Sequence, residues 1–125
     1  MARILIVTPA PRGSRKGNRI TANRWSRLLK ASGHSVRITE EFTGQRCDVL
    51  VAFHARKSAT SINRSIQASP ETSIILLLTG TDLYEDIHRN KSATAALDKA
   101  SRLILLQSHG LHELPPRLHP KVRVV

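Results

Sequence analysis

Short apolar runs alternate with helix-spaced apolar positions along almost the whole chain, and this alternation constrains the fold more than any other feature of the sequence. Arg3 to Val7, Ser35 to Thr39, Asp48 to Phe53, Ser73 to Leu78, Arg102 to Leu106 and Lys121 to Val125 read as strands by their length, polar boundaries and β-branched content. Between most of them the period changes. Ala22, Trp25 and Leu29 recur at i, i+3, i+7 with Leu28 beside them, Arg24, Arg27 and Lys30 fall on another face, and Gly33 supplies a left-handed stop. Ala59, Ile62 and Ile66 repeat the spacing before Pro70, as do Ala93, Ala96, Leu97 and Ala100. Strands alternating with helices predict a parallel sheet covered on both faces. The expected fold is a Rossmann-like, doubly wound α/β domain of three layers, α/β/α, with the strand at Arg3 to Val7 central.

A chain of 125 residues is the size of one domain. Its longest apolar runs, Ile4 to Val7 and Ile74 to Leu78, are far shorter than the ~20 residues of a membrane helix, and the start has no secretory pattern. A cytoplasmic protein is expected. The single cysteine, Cys47, rules out an internal disulfide and a cysteine-rich zinc site, and reads as a small buried residue. His109 and His112 form a weak i, i+3 pair, so no metal is expected.

The net charge of +11 is unevenly placed. The first 39 residues hold nine Lys or Arg and no acid, whereas the remainder holds eleven basic and nine acidic residues. An anion is therefore expected near the start of the chain. A doubly wound sheet binds ligands at the carboxyl ends of its strands where the strand order reverses, normally between the first and fourth strands. The loops predicted there are the most suggestive segments of the sequence.

The first loop runs from Thr8 to Gly17 and leads into a helix at Asn18. Gly13 and Gly17 permit positive φ and close backbone approach, and Asn18 is placed to cap the helix. A helix start carries positive partial charge, yet Arg12, Arg15, Lys16 and Arg19 crowd this one around Ser14. That crowding becomes favourable when a phosphate occupies the site. The spacing fits neither a P-loop nor the dinucleotide fingerprint, so Glu40 and Glu41 read as surface charge rather than ribose ligands and no cofactor is expected.

The second loop is Thr79-Gly-Thr-Asp-Leu-Tyr84, in which Gly80 allows a sharp exit from the strand and Thr79 and Thr81 flank it with hydroxyls. Asp82 either accepts hydrogen bonds from sugar hydroxyls or an ammonium group, or caps a helix beginning at Leu83. His54, with Arg56 and Lys57, ends the third strand, as a donor or general base in the same crevice or as a structural histidine. Gln107, Ser108 and His109 end the fifth strand. Trp25 and Tyr84 are candidate stacking aromatics, although Trp25 fits the core stripe of its helix.

Three segments together, Ile4 through Asn18, Thr79 through Tyr84 and Leu111 through Val125, resemble the amino-terminal domain of GT-B glycosyltransferases related to family-four retaining enzymes. Within that group the likeness is to the selenosugar synthases of selenoneine biosynthesis and covers essentially the whole chain. It implies a reaction joining the sugar of a UDP-N-acetylhexosamine to selenophosphate, with residues 1–125 forming the acceptor-side domain. It also implies a carboxyl-terminal donor domain, which carries the family's paired glutamates and has no counterpart here, so catalysis by this portion alone is not expected. The candidate substrate-binding residues, from the chemistry of the two loops and the third strand's end, are Arg12, Gly13, Ser14, Lys16, Gly17, Asn18, Arg19, His54, Thr79, Gly80, Thr81 and Asp82. The expected partners are a nucleotide sugar, a phosphorylated small-molecule acceptor and the donor domain. The alternatives are a glycosyltransferase domain with a carbohydrate or lipid acceptor, or a basic nucleic-acid-binding module, which a pI near 11.3 invites but the scarcity of stacking residues disfavours.

Overall fold

Six parallel strands form one sheet in the order β2-β1-β3-β4-β5-β6. They are β1 (Arg3–Val7), β2 (Ser35–Thr39), β3 (Val49–Phe53), β4 (Ser73–Leu77), β5 (Arg102–Leu105) and β6 (Val122–Val124). The computed structural model describes residues 1–10, 13–14, 17–80 and 82–125. The expectations for Arg12, Arg15, Lys16 and Thr81 lie outside the described residues.

Alternation along the strands sorts the core onto two faces. Ile4, Ile6, Val51, Phe53 and Leu77 join Ala22 of α1 (Gly17–Ala31), with Trp25 and Leu29 packed against them. The intervening Leu5, Val7, Leu50, Leu76, Leu103 and Leu105 face a larger cluster. That cluster receives Ile62 of α2 (Ala59–Ala68) and Ala93, Ala96 and Leu97 of α4 (Lys91–Lys99). A π-helical turn at Asp82–Asp86 runs into the short α3 (Ile87–Arg89), and two 3₁₀ turns, Ser108–Glu113 and Pro116–Lys121, lead to β6. The doubly wound α/β architecture is the expected one. Leu28 departs from the stripe beside it and is 58 % exposed.

α1 ends as its sequence dictates. Gly33 adopts φ +94°, and the N–H groups of Gly33 and His34 return to the carbonyls of Lys30 and Leu29, closing the last turn. α4 starts at Asn90, whose side chain accepts from the Ala93 N–H at 2.9 Å.

Three expectations are corrected. The strand order reverses between β1 and β3, not between the first and fourth strands. The segment from Glu40 to Asp48 contains no helix and passes directly from β2 to β3, with Phe42 buried and its N–H donating to Ser61 Oγ of α2. β1 is consequently interior but second from the edge rather than central. Finally, α1 begins at Gly17, so Asn18 lies within the first turn instead of capping it. Several strand ends also fall one residue inside their predicted limits, including those of β4, β5 and β6.

Candidate functional site

The reversal separates β2 and β1 from β3 and its successors, and a doubly wound sheet opens its ligand crevice at such a point. Here the walls are the β1–α1 connection on one side and the β3–α2 turn on the other. Gly13 is exposed at φ +83°, Gly17 is exposed, and Ser14 and Asn18 are half-buried. The described part of the first loop therefore reaches solvent above the crevice.

Arg19 behaves differently from its basic neighbours. It shares the inward face of α1 with Ala22 and Ser26 and is 8 % exposed, while the adjacent Ile20 is 56 % exposed. Its Nε is buried without a hydrogen-bond partner, and the guanidinium forms no ion pair among the described residues. Thr8, just beyond β1, is fully buried and its Oγ1 likewise has no partner. Sequence reasoning missed Thr8. Its parity with Ile4 and Ile6 was the available signal, since it places the side chain on the α1 side of the sheet.

The opposite wall is the turn at His54, a non-glycine residue at φ +76° and almost fully buried. Its N–H donates to the Leu77 carbonyl at 3.0 Å, and its Nδ1 accepts from the Lys57 N–H at 3.1 Å. The ring proton therefore sits on Nε2, which faces Asp86 Oδ2 at 3.6 Å. Asp86 also receives Arg56 Nε at 3.0 Å. Burial pushes the His54 imidazole below the ordinary histidine range, against an opposing pull from the Asp82 and Asp86 carboxylates.

A pH dependence follows. With its folded pKa depressed, His54 binds a proton more readily in the unfolded chain. Its contribution to stability is therefore present above the unfolded value, about 6.5, and is lost as pH falls below it. His54→Asn, which tolerates positive φ, should flatten the decline in unfolding midpoint on acidification. A variant with the same acid slope as the wild type would refute the assignment.

The second loop is built around Asp82, which is fully buried. Oδ1 accepts from the N–H groups of Thr79, Gly80 and Leu83 at 2.8, 3.0 and 2.9 Å, and Oδ2 accepts from Ala55 N–H at 2.9 Å. With no exposed surface and its oxygens occupied, Asp82 has the loop-gathering role and not the sugar-binding one. The bond to Ala55 also ties this loop to the His54 turn. Thr79 and Gly80 remain half-buried and line a groove of about 200 Å³ with Leu78, Leu83, Tyr84, Leu106 and Gln107. Tyr84 stacks on His109 there, ring centroids 6.3 Å apart at 28°.

Trp25 is not available as a platform at the crevice. Its ring meets Phe53 edge-on at 5.8 Å and 76°, within the core. Cys47 is half-buried, and burial raises its thiol pKa. A larger hollow, about 410 Å³, is lined by residues including Arg3, Asp48 and Thr72 at the amino-terminal ends of the strands, away from the crevice. Among the described residues no three His, Cys, Asp or Glu side chains gather as metal ligands, and no helix is long and apolar enough to cross a membrane. No protein-family model and no curated protein sequence matches this chain.

Proposed function

We propose that this chain is the acceptor-side domain of a GT-B glycosyltransferase and holds a phosphorylated small acceptor in the crevice between β1 and β3. The observation that carries this reading is the meeting, at the strand reversal, of an acid-free basic segment and a helix start with a buried, unpaired arginine. Oriented N–H dipoles and a basic segment favour a compact dianion over a neutral sugar hydroxyl.

The resemblance of the first loop and of Thr79 through Tyr84 to selenosugar synthases makes selenophosphate the acceptor. In that reaction the bond from the anomeric carbon to the donor's diphosphate oxygen breaks, UDP leaves with the electron pair, and selenium bonds to the anomeric carbon. This domain's part is to hold the acceptor's oxygens so that selenium points toward the donor. A second Rossmann-like domain supplies the UDP-N-acetylhexosamine site. A cytoplasmic setting suits both the nucleotide sugar and the free thiol of Cys47.

The test is UDP release and sugar–selenium product formation, followed by mass spectrometry, in the complete polypeptide carrying this domain. Lys16→Ala should reduce the rate with selenophosphate about ten- to hundred-fold, the value of one charge-assisted hydrogen bond. Lys30→Ala, an exposed residue of α1, should leave it unchanged. Equal losses in both variants would mean a diffuse electrostatic field, and release of UDP only with carbohydrate or lipid acceptors would overturn selenophosphate.

A further inference from the structure

We infer that Arg19 and Thr8 form a buried seat for a tetrahedral oxyanion of the phosphate class, on the sheet side of the first turn of α1. The inference rests on the phosphorylated-acceptor reading of the crevice and names the atoms that would hold the anion.

The first observation is an inversion of ordinary burial. At neighbouring positions of one helix turn, the isoleucine faces solvent and the arginine faces the core. Arginine is among the residues least often buried without a partner, because removing its charge from water is costly unless an anion replaces the lost hydration. Among the described residues there is no such anion. The five others, Pro11, Arg12, Arg15, Lys16 and Thr81, include no carboxylate.

The second observation is independent and lies on a different element. Thr8 continues the α1-facing parity of Ile4 and Ile6, and its N–H donates to the Thr39 carbonyl at 2.9 Å, which fixes the backbone at that point. Its hydroxyl is buried with no partner. Arg19 precedes Ala22 by one turn on the inward face, and Ala22 packs with Ile4 and Ile6. Both orphaned groups therefore belong to one corner, where β1 ends and α1 begins.

A helix start, a planar fork of N–H donors and a hydroxyl at this corner offer several donors and bring no negative charge of their own. That is the recognition chemistry of a tetrahedral oxyanion, whose several oxygens accept from the fork and the hydroxyl together. A carboxylate would use the fork but leave the remaining donors underused. The corner also explains why the first loop is basic in sequence without being the whole site: its positive charge attracts the anion, and Arg19 fixes it.

The experiment is titration of this protein with inorganic phosphate by calorimetry, and with sulfate as the singly protonation-insensitive comparison. Arg19→Met keeps the length of the side chain and removes the charge. It should weaken phosphate binding about ten- to hundred-fold while leaving the apo protein as stable as the wild type or more so, because no internal partner is lost. Thr8→Val should weaken binding by a smaller factor. If phosphate binds the wild type and Arg19→Met equally, the seat is wrong while the reading of the crevice stands. If phosphate fails to bind the wild type, both fall. If Arg19→Met lowers the apo unfolding midpoint sharply, Arg19 has a structural partner and the seat is overturned. Absence of phosphate binding alongside UDP release with a neutral acceptor would separate the oxyanion seat from transferase activity.

Discussion

Asp82→Ala should destabilise the protein by about 3–4 kcal/mol, since it leaves four main-chain N–H groups in a buried loop without their acceptor. The loss is large because one side chain serves two connections. Three of its bonds shape the exit from β4, and the fourth reaches 27 residues back to Ala55. Asp82→Asn should recover less than half of the loss. Its amide NH₂ is a donor and would face N–H donors wherever it replaced an oxygen. Urea unfolding monitored by far-ultraviolet circular dichroism measures both variants, and an unchanged denaturant slope would confirm that compactness is preserved. A cost below about 1 kcal/mol for the alanine variant would mean that water replaces the carboxylate and that the clasp is not structural.

Phe53→Ala should cost about 3–5 kcal/mol, the range for deleting a fully buried aromatic ring. Phe53 ends β3 beneath α1 and supports Trp25 edge-on, so the substitution loosens the helix as well as opening a cavity. Phe53→Leu retains most of the volume and should cost about 1–1.5 kcal/mol. Trp25 is the single tryptophan of the chain, which makes the readout direct. Its emission should shift to the red in Phe53→Ala and stay near the wild-type position in Phe53→Leu. Matching stability losses for the two variants would show that the ring contact with Trp25, and not the lost volume, carries the cost.

The strands and the main helices were legible because each writes its own period into a few adjacent residues. Gly33 and Asn90 act over one turn, and Gly33 was recognisable for the same reason. Strand order is a different kind of information. The reversal at β1 and β3 depends on how the Glu40 to Asp48 segment crosses the sheet, and no local period encodes a crossing. The lack of helical spacing in that segment was the one hint that β3 follows immediately beside β1. Asp82 was ambiguous because its most distant partner lies far away in sequence. Arg19 was grouped with the loop by its charge, although extending the Ala22 and Ser26 face backward by one turn would have turned it inward. Chemistry-bearing residues were thus located by type and neighbourhood, while their orientation required the tertiary structure.

The turn at His54 has a further consequence. A histidine at φ +76° occupies backbone space that glycine or asparagine enters more readily, and such a conformation costs on the order of 1–3 kcal/mol. It persists because its flanks are fastened. Ser58 Oγ donates to the Phe53 carbonyl at 2.6 Å, Ser58 N–H donates to the His54 carbonyl at 3.0 Å, and the Ala55 N–H donates to Asp82. This wall of the crevice is therefore preorganised: its shape is set during folding, and an incoming ligand has little ordering entropy to overcome there. Discrimination between ligands on that side rests on rigid fit.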